Sequence, residues 1–172
     1  MNSTFEWIRK GEISDLSRIY DSVQAIKAEM AKLDVVQWPQ DRDYPSEDMI
    51  KADLEAGDYL VWEENGIHKG SFVLNEKTTE PYKDIDWKGK DFLAVHRLVS
   101  LPEFREEKIA LKMMKYAEQV GKNHGKDSLV LDTYCENERA NRFYQKLGYE
   151  YRGQINLPWM PLKYNCYELM LA

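Results

Sequence analysis

No stretch of this 172-residue sequence is apolar for more than a few residues, so nothing in it reads as a membrane-spanning helix. Its first residues, MNSTFEWIRKGE, lack the apolar centre of a secretory signal, and the expected compartment is the cytosol. Cysteine is scarce. Cys135 and Cys166 fit no metal or redox spacing and read as structural thiols. Histidine is scarce too: His68, His96 and His124 stand far apart, so no metal is expected. The chain is short of positive charge, with a formal net charge of −6, which excludes nucleic acid as the main partner. An acidic surface is mildly suited to a cationic substrate such as an amine. Repeats and low-complexity tracts are absent. One local absence matters more. The stretch LPEFREEKIALKMM, residues 101–114, reads as a strand end, a turn and a helix start, yet it contains no glycine. Such turns present free backbone N–H groups to anions, and glycine usually lets a phosphate come close.

What is there fits one domain. Hydrophobic residues make up 43%, enough for a real core at this length. Residues 4–10 read as a strand. In EISDLSRIYDSVQAIKAEM, the residues Leu16, Ile19, Tyr20, Val23, Ile26 and Met30 share one helical face, with Ser14 or Asp15 as cap. After a proline-broken connection, Ser46 opens a short helix that ends at Gly57. Asn65-Gly66 marks a hairpin turn between two β-rich runs. A polar loop, TTEPYKDIDWKGK, leads to the long strand DFLAVHRLVSL, and a helix is expected over 106–123. SLVLDTY is a compact strand, 137–147 a helix stopped by Gly148, and YEYRGQIN and NCYELML are closing strands. The order β-α-α-β-β-β-α-β-α-β-β predicts an α/β (α+β) fold with a mixed central sheet flanked by helices.

Residues 131–150, LDTYCENERANRFYQKLGYE, carry Asn137, Ala140, Phe143-Tyr144, Lys146 and Leu147-Gly148-Tyr149 in the pattern N-x-x-A-x-x-x-Y-x-K-x-G-F. In this the chain resembles the GNAT superfamily of acetyl-CoA-dependent N-acetyltransferases, in detail over residues 92–150 and in element order over nearly its whole length. The resemblance implies a splayed sheet and a single domain over 1–172. It implies transfer of an acetyl group from acetyl-CoA to an amine of a small molecule or peptide, by direct attack in a ternary complex. It sets backbone groups of Leu98, Val99 and Ser100 against the pantetheine and the diphosphate at the start of helix 106–123. There the family pattern Q/R-x-x-G-x-G/A reads Arg105, Glu106, Glu107, Lys108, Ile109, Ala110, with Lys108 where glycine is usual. Glu106 and Glu107 add negative charge beside an anionic ligand, at about 1 kcal/mol per unit pair near 4 Å in water. These departures support an alternative, a catalytically silent GNAT-fold protein that binds a ligand or partner.

The resemblance also assigns roles. Tyr144 matches the tyrosine that protonates the leaving thiolate, and a phenol, with a pKa of about 10, is suited to that exchange. On spacing alone Tyr144 reads as an inward-facing core residue; the whole motif reverses that reading. Asn137 caps its helix and matches a cofactor-contacting asparagine. The attacking amine must lose a proton, and His96 on the long strand is a candidate base. Alternation puts His96, Leu98 and Ser100 on one face and Arg97, Val99 and Leu101 on the other. Asp132 is another candidate base, or a brace for neighbouring helix starts. Trp38, Tyr44 and Trp87, with Asp41, Asp43 and Asp48 nearby, are placed to hold an ammonium, or simply to pack loops. Trp159 is set to cover the same pocket or meet a second copy, since dimers are common in the family and the last strand is open to pairing across one.

Overall fold

The structure is a computed structural model that describes residues 5–172, so residue 4, the predicted start of the first strand, lies outside the described residues. The elements are β1 (Ile8–Lys10), α1 (Leu16–Lys32), α2 (Glu47–Ala56), β2 (Tyr59–Glu64), β3 (Ile67–Asn75), β4 (Phe92–Ser100), α3 (Ile109–Asn123), β5 (Ser128–Tyr134), α4 (Glu138–Lys146), β6 (Glu150–Asn156) and β7 (Lys163–Met170). The seven strands run in the order β1-β2-β3-β4-β5-β7-β6, with β4 and β5 parallel and the β1-β2, β2-β3, β5-β7 and β6-β7 pairs antiparallel. The predicted α/β class and element order are those observed. The chain falls into two compact units: residues 1–74 with 96–117, and residues 75–95 with 118–172. No helix among the described residues is long and apolar enough to cross a membrane.

In the first unit, Ile19 and Val23 of α1 and Ile50 and Leu54 of α2 pack with Tyr59, Val61, Val73 and Val99 of the strands. Each such aliphatic side chain stabilises the fold by about 1.5–3 kcal/mol on full burial. Strand alternation turns Trp62 to the other face, where Lys112 of α3 lies over its ring at 5.5 Å. The hairpin turn is the expected one, with Asn65 at φ 52° and Gly66 at φ 78°. Ser46 caps α2 by accepting the Met49 N–H at 3.2 Å. Asp15 departs from its expected role, because it makes no capping bond to α1. Its carboxylate instead accepts Arg9 and Arg18 and the Glu12 N–H, each at 2.8 Å.

In the second unit β7 lies between β5 and β6. This corrects the expectation that the last strand pairs across a dimer: both of its edges are filled, and β6 is the edge strand. The polar loop before β4 is more ordered than its composition suggests, with a 3-10 turn over Glu80–Asp84. Buried Glu168 fastens this loop by accepting the Lys88 and Gly89 N–H groups and the Ser128 hydroxyl, each at 2.8 Å.

Candidate active site

The glycine-free turn has a defined shape in the first unit. Residues 102–107 form a 3-10 turn, Lys108 takes a left-handed conformation (φ 55°, ψ 42°), and α3 begins at Ile109, not at 106 as predicted. The left-handed residue explains why glycine suits this position: a side chain there costs about 1–2 kcal/mol. The first α-helical bond runs from the Lys112 N–H to the Lys108 carbonyl, at 3.1 Å. The N–H groups of Ile109, Ala110 and Leu111 are therefore left at the open end of the helix, as an anion site requires. Arg105, Glu106 and Lys108 are exposed, whereas the Ile109 side chain is buried, so only its backbone is available there.

The glutamate pair is not a bare double charge. Glu107 accepts Lys69 Nζ at 2.5 Å, and Lys69 also reaches Glu64 at 2.9 Å. Lys69 is buried, with its ammonium 5.0 Å from the Phe104 ring centre, and its pKa is raised, first by Glu107 and then by Glu64. Glu106 and Lys108 border an open cavity of about 470 Å³ with Trp7, Trp62 and Lys112.

On β4, Val99 is buried in the first unit's core, and Arg97 forms an ion pair with Asp53 of α2, so the predicted Arg97-Val99 face is the one that meets α1 and α2. Arg97 is left-handed (φ 48°), a kink that the alternation pattern does not reveal. His96, Leu98 and Ser100 are half-buried. The parallel β4-β5 ladder runs from Phe92–Ser128 to Ala94–Val130.

The second unit contains Asn137 and Tyr144. Asn137 caps α4, its Oδ1 accepting the Ala140 N–H at 3.1 Å. Tyr144 is buried to 8% exposure and packs edge-on to Phe143 and Tyr149, with ring centres at 5.2 and 5.8 Å. Burial raises its pKa, and the charge of Asp132 raises it further. No hydrogen bond to its hydroxyl is formed among the described residues, so its proton is not engaged by any of their acceptors.

The three aromatics expected at the acceptor pocket divide between the units. Trp38 is buried in the core of the first unit and Tyr44 packs half-buried against it, while Asp41, Asp43 and Asp48 are exposed. Trp87 belongs to the second unit, where its ring lies 5.4 Å from Tyr82 and 6.0 Å from Phe92 and its Nε1 donates to the Tyr82 carbonyl at 2.9 Å. Trp159, in the β6-β7 connection, is exposed. Sequence reasoning missed Tyr82, whose hydroxyl donates to Asp132 Oδ2 at 2.5 Å. It also missed Lys69. Both act on carboxylates far away along the chain, and no local pattern marks them.

The fold thus combines a seven-stranded mixed sheet, a left-handed turn before α3 and a tyrosine on a short capped helix. The sequence matches the acetyltransferase (GNAT) family over residues 23–149, and the chain belongs to that family. The family is one of acetyltransferases. Among curated proteins the chain is similar to N-alpha-acetyltransferase 30 of Schizosaccharomyces pombe, 38% identical over 52 residues, which is 30% of this chain and 35% of that protein. The chain thus aligns with about a third of that relative. Among solved structures it is similar to a GNAT-family acetyltransferase of Streptococcus agalactiae, at 24% identity and a TM-score of 0.79, covering 95% of this chain and 94% of that one. It is also similar to the PaiA N-acetyltransferase of Thermoplasma acidophilum, solved with coenzyme A, at 18% identity and a TM-score of 0.71, covering 95% and 97%. At these identities the two structures speak for the fold.

Proposed function

We propose that residues 1–172 act as one domain that moves the acetyl group of acetyl-CoA to an amine of a small molecule or peptide, by direct attack while both substrates are bound. The observation that carries this reading is the turn before α3, where Lys108, standing at the family's usual glycine, is left-handed and three helix N–H groups stand open. In this reading the diphosphate takes the N–H groups of Ile109 and Ala110, aided by Arg105 and the Lys108 ammonium, beside Glu106. Glu107 is held by Lys69. The backbone of Leu98, Val99 and Ser100 pairs with the pantetheine, and Asn137 contacts the cofactor. The two features favouring a silent protein, the missing glycine and the paired glutamates, are thereby accounted for. Tyr44 and Trp87 are the aromatics assigned to the acceptor, whereas Trp38 is buried in the core of the first unit. The local likeness to an N-alpha-acetyltransferase keeps a peptide amine among the acceptors. The protein works in the cytosol, without nucleic acid or membrane.

Calorimetric titration with acetyl-CoA at low and moderate salt tests the reading. Micromolar binding that weakens with salt is expected; no binding at millimolar acetyl-CoA overturns it. Tyr144 is the acid that protonates the leaving thiolate. Tyr144→Phe is expected to lower turnover at least ~100-fold with acetyl-CoA binding retained, and unchanged turnover removes the assignment. Two side chains remain to take the amine's proton, His96 of β4 and Asp132 of β5.

A further inference from the structure

We propose that Asp132 is the proton acceptor for the attacking amine and that Tyr82, held by Trp87, positions its carboxylate. This rests on the transferase reading above. Asp132 lies on β5, five residues before the α4 cap, and keeps part of its surface open to solvent. Its one side-chain hydrogen bond among the described residues is the 2.5 Å bond that Tyr82 donates to Oδ2, which leaves Oδ1 free. It has no cationic partner among them. A carboxylate fixed at one oxygen, open at the other and unpaired with any base is poorly suited to bracing a fold and well suited to receiving a proton.

The surroundings agree. Tyr82 is buried, and its ring packs at a tilt on Trp87, whose own N–H is bonded to the Tyr82 carbonyl. Cys166 stands opposite Asp132 in the β5-β7 register. The titratable groups facing Asp132 are therefore Tyr82, Cys166 and Tyr144, and none of them is a cation. Burial raises the Asp132 pKa and the Tyr82 bond partly offsets that rise. Its charge in turn raises the pKa values of Tyr144 and Cys166. A carboxyl moved toward neutrality is a stronger base than an exposed one.

The protons balance. The neutral amine attacks the thioester carbon, forming the N–C bond. The nitrogen of that adduct gives its extra proton to the Asp132 carboxylate. The C–S bond breaks, and Tyr144 gives its phenolic proton to the departing thiolate. Asp132 then returns its proton, through solvent, to the Tyr144 phenolate, and both groups are restored.

The test compares wild type with Asp132→Asn, Asp132→Glu, Tyr82→Phe and His96→Ala by CoA release against pH. The acceptors are a linear diamine, lysine amide and a tetrapeptide with a free N-terminus. Water serves as acceptor if all are refused, since its attack needs a proton acceptor too. Acetyl-CoA binding and thermal unfolding are measured alongside. Failure of wild type to bind acetyl-CoA defeats the transferase reading itself. With binding intact, Asp132→Asn is expected to lose ~100-fold in kcat with little change in KM or acetyl-CoA affinity, and Asp132→Glu to recover part of the loss. In Tyr82→Phe the acidic limb of the profile moves to higher pH by about one unit, because the bond that favours the carboxylate is gone. A full rate in Asp132→Asn, or an acidic limb that vanishes in His96→Ala and persists in Asp132→Asn, overturns the proposal.

Discussion

Asp15 and Asp132 are carboxylates withdrawn from water, one in each compact unit, and their surroundings drive them in opposite directions. Asp15 is 2% exposed and accepts both arms of Arg9, one from Arg18 and the Glu12 N–H. The Arg9 guanidinium, above all, holds its carboxyl far below the usual range. Asp132 has one neutral phenol, and burial pushes its pKa up. The first is saturated: every lone pair is engaged, and the group serves the fold by tying β1, α1 and, through Arg9 and Arg18, Glu63 of β2 together. The second is under-satisfied, which costs stability and leaves a reactive oxygen. Perturbed carboxylates become informative about function only when the direction and the partner are read together.

Three measurements can break or sharpen this contrast. The largest effect belongs to Asp15→Asn, which breaks a buried ion pair and should cost about 3–5 kcal/mol in urea unfolding. Because its folded pKa lies below the unfolded value, the wild-type contribution is complete above pH ~4 and fades as the pH falls toward the folded pKa. A loss within ~0.5 kcal/mol would make Asp15 an ordinary surface acid. Next, Lys108→Gly relieves a left-handed side chain and should gain about 1 kcal/mol, with acetyl-CoA affinity kept or improved. Weaker binding in that variant would instead show the ammonium holding the diphosphate. The smallest effect is Asp132→Asn, expected to leave stability at pH 7 unchanged or higher by about 0.5 kcal/mol. Its sign is opposite to that of Asp15. A raised folded pKa makes the wild type lose stability as pH rises from the unfolded value through the folded one, so the difference between variant and wild type should vanish below pH ~4. A destabilisation above ~1 kcal/mol at pH 7 would return Asp132 to the role of a brace.

The contrast also marks what the sequence discloses. The hairpin turn at Asn65-Gly66, the caps Ser46 and Asn137, and the alternation that sends Arg97 and Val99 to one face are all written within a few residues, and each was legible. The start of α3 was misplaced by three residues because Glu106 and Glu107 suit a first helical turn, while the left-handed Lys108 that delays it has no signature in a lysine. Lys69 and Tyr82 were invisible as partners. Lys69 meets Glu107 38 residues away, and Tyr82 meets Asp132 at a separation of 50, so only the folded chain brings them together. For Trp38 the sequence leaves an ammonium pocket and loop packing both open, because the same aromatics serve either; its 6% exposure places it with packing.

The short ladder between β4 and β5 gives a spectroscopic signature to this chain. Its last pair is Ala94–Val130, and three residues later Arg97 turns the backbone left-handed. In deuterium exchange, β4 should therefore behave as two strands joined end to end, slow before the kink and uneven after it. A donor lying along residues 98–100 would register as a band of newly slowed amides there, visible before any acceptor is known.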